Sequence, residues 1–192
     1  MFVVGVVVVP SQVPAPGDIA AQPVEGGTRF TLITAGGHVG FTAGSDWAVI
    51  AVQSRLPVTA AAFEIPDPAD KNTPESTNLV ISLYQPGDAQ ADSALKQNRA
   101  AHAGWQASTE GQWSLREAES LQGKVTYTVV DAEEPCGDVV CGMRLAWPHL
   151  AAHDAGYDLR MRALLKNFLA SVAAATGAYT LHDGEMLRRP QG

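Results

Sequence analysis

An α+β fold, an antiparallel β-sheet covered by a long C-terminal helix and a second helix, is what this sequence predicts. Three observations carry it. In residues 139–147, Val139, Cys141, Met143, Leu145 and Trp147 alternate with other residues, the period of a strand with one buried face. Tyr157, Met161, Leu164, Leu165, Phe168, Leu169 and Val172 then recur at spacings of one, three and four. On a helix they form a single apolar stripe, with Arg160, Arg162, Lys166 and Asn167 left for water. Ahead of both, strand-like runs are broken by Gly, Pro and Asp turns and by one more helical stretch, the mixture expected of an α+β domain.

The opening nine residues, Met1 to Val9, are nearly all apolar and end at Pro10. They are too short to span a bilayer as a helix, which takes about 20 residues. With the small residues that follow, they read as an export leader, and 16–27 as a Pro/Gly/Ala-rich spacer. The first basic residue is Arg29, so the positive start of such a leader is missing. A first strand over 2–9 is the alternative. No cysteine lies near the leader, which argues against lipid anchoring. The expected layout is a leader and linker over 1–27, one domain over 28–175 and a tail or loose final strand over 176–192.

Within the domain, 29–34 and 39–42 flank a glycine turn and predict a hairpin. Strands follow over 46–52 and 60–65, then a loop of turn formers over 66–74. A further strand covers 78–84 and ends at Pro86-Gly87-Asp88. Asp88 or Asp92 can cap a helix from Ala89 to about Ala103, with Ala91, Ala94 and Leu95 inward and Gly104 as its stop. Strands over 113–118 and 124–130 come next, the second pairing with 139–147 through a turn at 134–138. Pro148 removes a ladder donor and ends that last strand. There is no internal repeat and no low-complexity block.

A chain of 192 residues with 46% hydrophobic content has ample material for one core. Its formal charge of −7 and lack of a basic cluster beyond Arg188-Arg189 argue against a nucleic-acid partner. No stretch predicts an integral membrane segment. No phosphate-binding glycine loop and no Gly-x-Ser-x-Gly elbow occurs. Ser76 and Ser82 have no base beside them in sequence. Glu117, Glu119, Glu133 and Glu134 could supply paired carboxylates. The first pair is more simply a solvated strand face, and the second a polar turn.

Strands with Trp47 at an early start, one helix, a run of antiparallel strands, and a C-terminal helix closing at Leu169-Ala170-Ser171-Val172 make an order that resembles the Mog1/PsbP-like family. That grouping includes the bacterial DUF1795 and DcrB-like proteins. The resemblance covers about Trp47 to Val172 and rests on element order. It implies a protein that is mostly not an enzyme. The studied members include a Ran-binding factor, photosystem II extrinsic subunits, envelope proteins and adaptors of type VI secretion effectors. No motif matches residue by residue, so no functional residue is carried over.

Three constellations remain. His149 and His153 stand four apart, which on a helix puts both imidazoles on one side, as a zinc site requires. No third ligand is evident, and a solvated approach to the helix is the plainer reading. Cys136 and Cys141 are the two cysteines. In an exported protein they predict a small-loop disulfide, and in a cytosolic one Cys141 is a small hydrophobe. Trp105, Trp113 and Trp147 are the aromatic candidates for a ligand or peptide groove between sheet and helix, with core packing as the alternative. The sequence thus points to a non-catalytic periplasmic or secreted domain that binds a protein or peptide and needs no cofactor. A cytosolic adaptor of the type VI effector kind and a small hydrolase are the alternatives.

Overall fold

The computed structural model describes residues 13–55, 58–66 and 75–188. Most of the proposed leader and the 66–74 loop beyond Pro66 lie outside them. The protein is α+β, with two helices and two antiparallel sheets instead of the one sheet expected. The smaller sheet is built on the hairpin of β2 (Gly27–Ile33) and β3 (Gly37–Gly44). β1 (Ile19–Val24) pairs with the outer side of β2, with Ile19 opposite Leu32. β11 (Ala173–Thr176) and β12 (Met186–Arg188) complete the order β11-β3-β2-β1-β12.

One expectation is corrected here. The spacer read over 16–27 contains β1, whose Ile19, Ala20 and Ala21 are buried. Of the two readings of 176–192, a tail or a loose final strand, the segment contributes a short strand that pairs with β1, with Ile19 opposite Arg188. Pro23 and a glycine pair give 16–27 a linker's composition. Pairing to strands on both sides outweighs that local preference, which is weak for strands in any case.

The larger sheet has seven strands: β4 (Ala48–Arg55), β5 (Val58–Ile65), β6 (Thr77–Tyr84), β7 (Gln106–Glu110), β8 (Trp113–Gln122), β9 (Val125–Cys136) and β10 (Val139–Pro148). Their spatial order is β4-β5-β6-β10-β9-β8-β7. β7 was not expected, because Gln-Ala-Ser-Thr-Glu has no apolar alternation and lies exposed at the sheet's edge. The turn placed at 134–138 is tighter than that: Cys136 pairs with Val139, leaving Gly137 and Asp138 between. Gly137 has φ of 63°, the angle that the first position of such a hairpin turn needs.

The alternation read in 139–147 is borne out: Val139, Cys141, Met143, Leu145 and Trp147 are all buried. With Leu79, Ile81, Val130 and Phe63 they form the inner face of the large sheet. Helix α2 (Tyr157–Ser171) lays Tyr157, Leu165, Phe168 and Leu169 into the same core. Aromatic rings join the layers. Phe30 and Phe41 of the small sheet stand 5.2 and 5.8 Å from Phe63 of the large one, and Phe41 is 5.4 Å from Phe168. Edge and tilted arrangements of this kind add to the area they bury. At one end the sheets are also tied by Asp138, which accepts hydrogen bonds from Thr34 Oγ1 at 2.9 Å and Gly36 N at 2.8 Å.

Helix α1 (Ala89–Ala101) lies on the other, outer face of the large sheet. Asp88 caps it by accepting from the Gln90 and Ala91 amides, which satisfies two of the orphan donors at its start. Gly104, at φ 86°, lets the chain turn away after the helix.

Candidate functional site

The alternation that buries one side of β6, β8, β9 and β10 leaves a polar set on the other side. The strand register sets these residues in rows. Val80, Arg144, Asp131 and Arg116 lie side by side across β6, β10, β9 and β8, and Ser82, Gly142, Glu133 and Ser114 form the next row. Above them, one side of α1 carries Ala91, Leu95, Asn98, Arg99 and His102. Between helix and sheet is a groove of about 500 Å³, lined by residues of both rows and of the helix.

An ion pair and hydrogen bonds hold the helix over the groove. Arg99 binds Glu133, with Nε 3.0 Å from Oε2. His102 Nε2 lies 2.5 Å from Asp131 Oδ2. Arg144 holds the same Asp131 from below with two parallel bonds of 2.7 Å, the bidentate geometry that makes arginine–carboxylate pairs strong. Hydrogen bonding to Asp131 raises the Arg144 guanidinium above its usual range, and Glu133 does the same for Arg99. Towards the β6 end, Asn98 Nδ2 donates to Tyr84 Oη at 2.8 Å. Burial raises the Tyr84 phenol, outweighing the hydrogen bonds from Ser82 and Asn98. The ring lies across Gly142, where a Cβ would come within 2.9 Å of Tyr84 Cε2. Glycine is what lets the ring pack against the floor.

Arg116 differs from its neighbours. Its Nη1 donates to the Leu115 carbonyl at 3.2 Å. Among the described residues no carboxylate forms an ion pair with it.

The three tryptophans do not line this groove. Trp147 and Trp113 point to the inner face and are buried in the core, because odd positions of β8 and β10 face inward. Trp105 is half-buried, with its ring 4.7 Å from that of His102. It supports a groove residue without reaching the groove. Trp147 instead donates from Nε1 to Asp158 at 3.0 Å, and the Arg162 guanidinium lies 5.6 Å from its ring centre. Arg162 binds both Asp158 and Glu117. Glu117, expected in solvent, is thus paired to α2 because it shares the inner face with Trp113 and Leu115.

His149 and His153 lie on the turn before α2, which starts only at Tyr157, so their spacing does not align them on a helix. His149 Nε2 shares a hydrogen bond of 2.7 Å with Thr128 Oγ1, and His153 stacks on Tyr157 at 3.5 Å. Among the described residues, no three metal-ligating side chains come together. Cys136 and Cys141 are joined in a disulfide, their Cα atoms 5.7 Å apart. Both are buried beneath the β9–β10 turn.

No family model and no curated protein matches the chain. A solved structure of a protein from Bacteroides thetaiotaomicron VPI-5482 is similar at 14% identity and a TM-score of 0.46. The likeness covers 72% of this chain and 45% of that one, so the chain spans less than half of that protein.

A groove between sheet and helix was expected from sequence, but not these lining residues, although a signal for them exists. Asn98, Arg99 and His102 continue the helical stripe begun by Ala91 and Leu95. Polar residues on the sheet-facing side of a helix need partners beneath them. No helix of the described residues is long and apolar enough to cross a membrane.

Proposed function

We propose that this is a non-catalytic binding domain of an extracytoplasmic compartment, and that a protein or peptide partner occupies the groove between α1 and the large sheet. The observation that carries the reading is the groove itself. Its volume is that of a ligand site, and its wall combines apolar side chains with a few fixed polar groups. Its two acidic residues are both paired, Glu133 with Arg99 and Asp131 with Arg144 and His102. His102 is engaged with Asp131, and no hydroxyl or thiol among the described residues hydrogen-bonds to it. Such pairing supports recognition over acid–base chemistry, where a base is held against a nucleophile. The Cys136–Cys141 bond supports the compartment, since stable disulfides belong to oxidising surroundings. The resemblance of the element order over about Trp47 to Val172 to Mog1/PsbP-like proteins, mostly not enzymes, supports a non-catalytic role.

The test is a peptide-display library panned against the full chain, with Ser114→Trp as counter-target. Ser114 is an exposed strand residue on the groove floor, so an indole there fills the groove while suiting the strand. Its melting curve checks that the variant folds. Enriched peptides should bind the native chain and lose about tenfold or more on Ser114→Trp, a loss of about 1.4 kcal/mol. Equal binding to both proteins, or no enrichment, would overturn the reading.

A further inference from the structure

We infer that the segment this groove accepts is acidic, and that it docks a carboxylate on Arg116. The inference rests on the groove being the binding site. The chain as a whole carries a formal charge of −7, yet the groove is lined by Arg99, Arg116 and Arg144 against Asp131 and Glu133. An acidic protein here presents a window of the opposite sign. Within it the charges are unevenly used. Glu133 is taken by Arg99, and Asp131 by Arg144 and His102 together. Arg116 stands directly across the strand pair from Asp131, on the far side from Arg144, and has no carboxylate of its own among the described residues. Its guanidinium has five N–H donors, of which the Leu115 carbonyl takes one. A planar anion can therefore be gripped by two parallel bonds, the geometry in which arginine is strongest.

The groove's other end is different in character. Val80, Tyr84 and Leu95 line it near β6, a mainly apolar wall. From β8 to β6 the groove crosses three strand spacings, about 14 Å, room for about four residues of extended chain. The ligand that fits carries a glutamate or aspartate at one end of such a stretch and an apolar side chain at the other. Charge complementarity would also speed its approach, an effect that salt suppresses.

Calorimetric titration of the full chain with two synthetic hexapeptides tests this. One carries a phenylalanine followed, four positions on, by two glutamates, and the other has glutamines in their place. The acidic peptide should bind about tenfold tighter at low salt, and Arg116→Gln should remove that preference. Arg160→Gln, remote from the groove, should keep it. Arg116 is exposed on a strand, and a melting curve shows that the variant is folded. If both peptides bind equally and both are lost on Ser114→Trp, the acidic class is wrong while the groove stands. A preference for the acidic peptide that survives Ser114→Trp would place the contact elsewhere and sink both readings. Acetate or inorganic phosphate competing as strongly as the peptide would make the ligand a free anion and overturn the peptide. Binding of neither peptide would overturn the inference as well.

Discussion

The two helices sit on opposite faces of one sheet and are held there by different physics. α2 buries Tyr157, Leu165, Phe168 and Leu169 in the main core. α1 buries Ala91 and Leu95 in a small separate cluster with Tyr84, and its second half is tied down by Arg99–Glu133, His102–Asp131 and Asn98–Tyr84. The first is an apolar wall, and the second a roof fastened by polar pairs. Apolar burial is worth about 1.5–3 kcal/mol for each large side chain. A partly exposed ion pair is worth about 0–1 kcal/mol. A helix held in the second way can yield to a ligand without unfolding the domain, and it is the one above the groove.

The contrast can be broken most directly by cavities. Phe168→Ala should cost about 3–5 kcal/mol in chemical denaturation, and Leu95→Ala about 2, since its site opens onto the groove and can relax. Equal losses would mean that α1 is a core wall too. Next in size is the disulfide. Replacing Cys136 and Cys141 together by serine should cost about 2 kcal/mol for a loop this short. Because the β9–β10 hairpin carries both helices, hydrogen exchange should quicken on both faces. A change confined to α2 would show that the hairpin does not serve the roof.

Smaller effects separate the polar contacts. Arg162→Ala, which loses two carboxylates and the face of Trp147, should cost about 1 kcal/mol. Arg99→Ala should cost less in global stability, yet accelerate amide exchange in 96–101 while leaving α2 unchanged. Global and local losses of equal size would contradict the fastened-roof picture. The smallest expected effect is in pH. Arg160 and the Gly156 amide hold the Asp154 carboxyl, at the start of α2, below its usual value of 3.8. A lowered folded-state value means the contribution is present above the unfolded value and lost as pH falls through the folded one. Asp154→Asn should therefore flatten the fall in melting temperature below about pH 4 and change little at neutrality. An unchanged acid limb would remove Asp154 from the account.

These differences explain what could be read from the chain. The α2 stripe and the alternation in 139–147 were legible because hydrophobic periodicity is set locally. The outward residues Ser82, Arg116, Asp131, Glu133 and Arg144 were legible as polar positions, but not as a site. Their meeting depends on β6 lying beside β10, strands separated in sequence by α1 and three other strands. Trp113 and Trp147 show the opposite error. Size and strand-end position suggested a groove, while the alternation in 139–147 already assigned Trp147 to the core. β1 was missed because its composition is that of a linker, and β12 was open between tail and strand because it is short and its partner β1 is remote in sequence.

That last pairing has a consequence for how the chain is made. Ile19 bonds beside Arg188, so the small sheet cannot close until nearly the whole domain has left the ribosome. The β1–β2–β3 meander is local and can form early, but its outer strands β1 and β3 then wait with open edges for β12 and β11. Closing such distant strands is slow, as expected where sequence-remote contacts dominate. During the wait, an unpaired edge is a template for another chain. Folding yield should accordingly fall with concentration more steeply than the stability of the finished protein would indicate, and a chain shortened before Met186 should aggregate while its large sheet still forms.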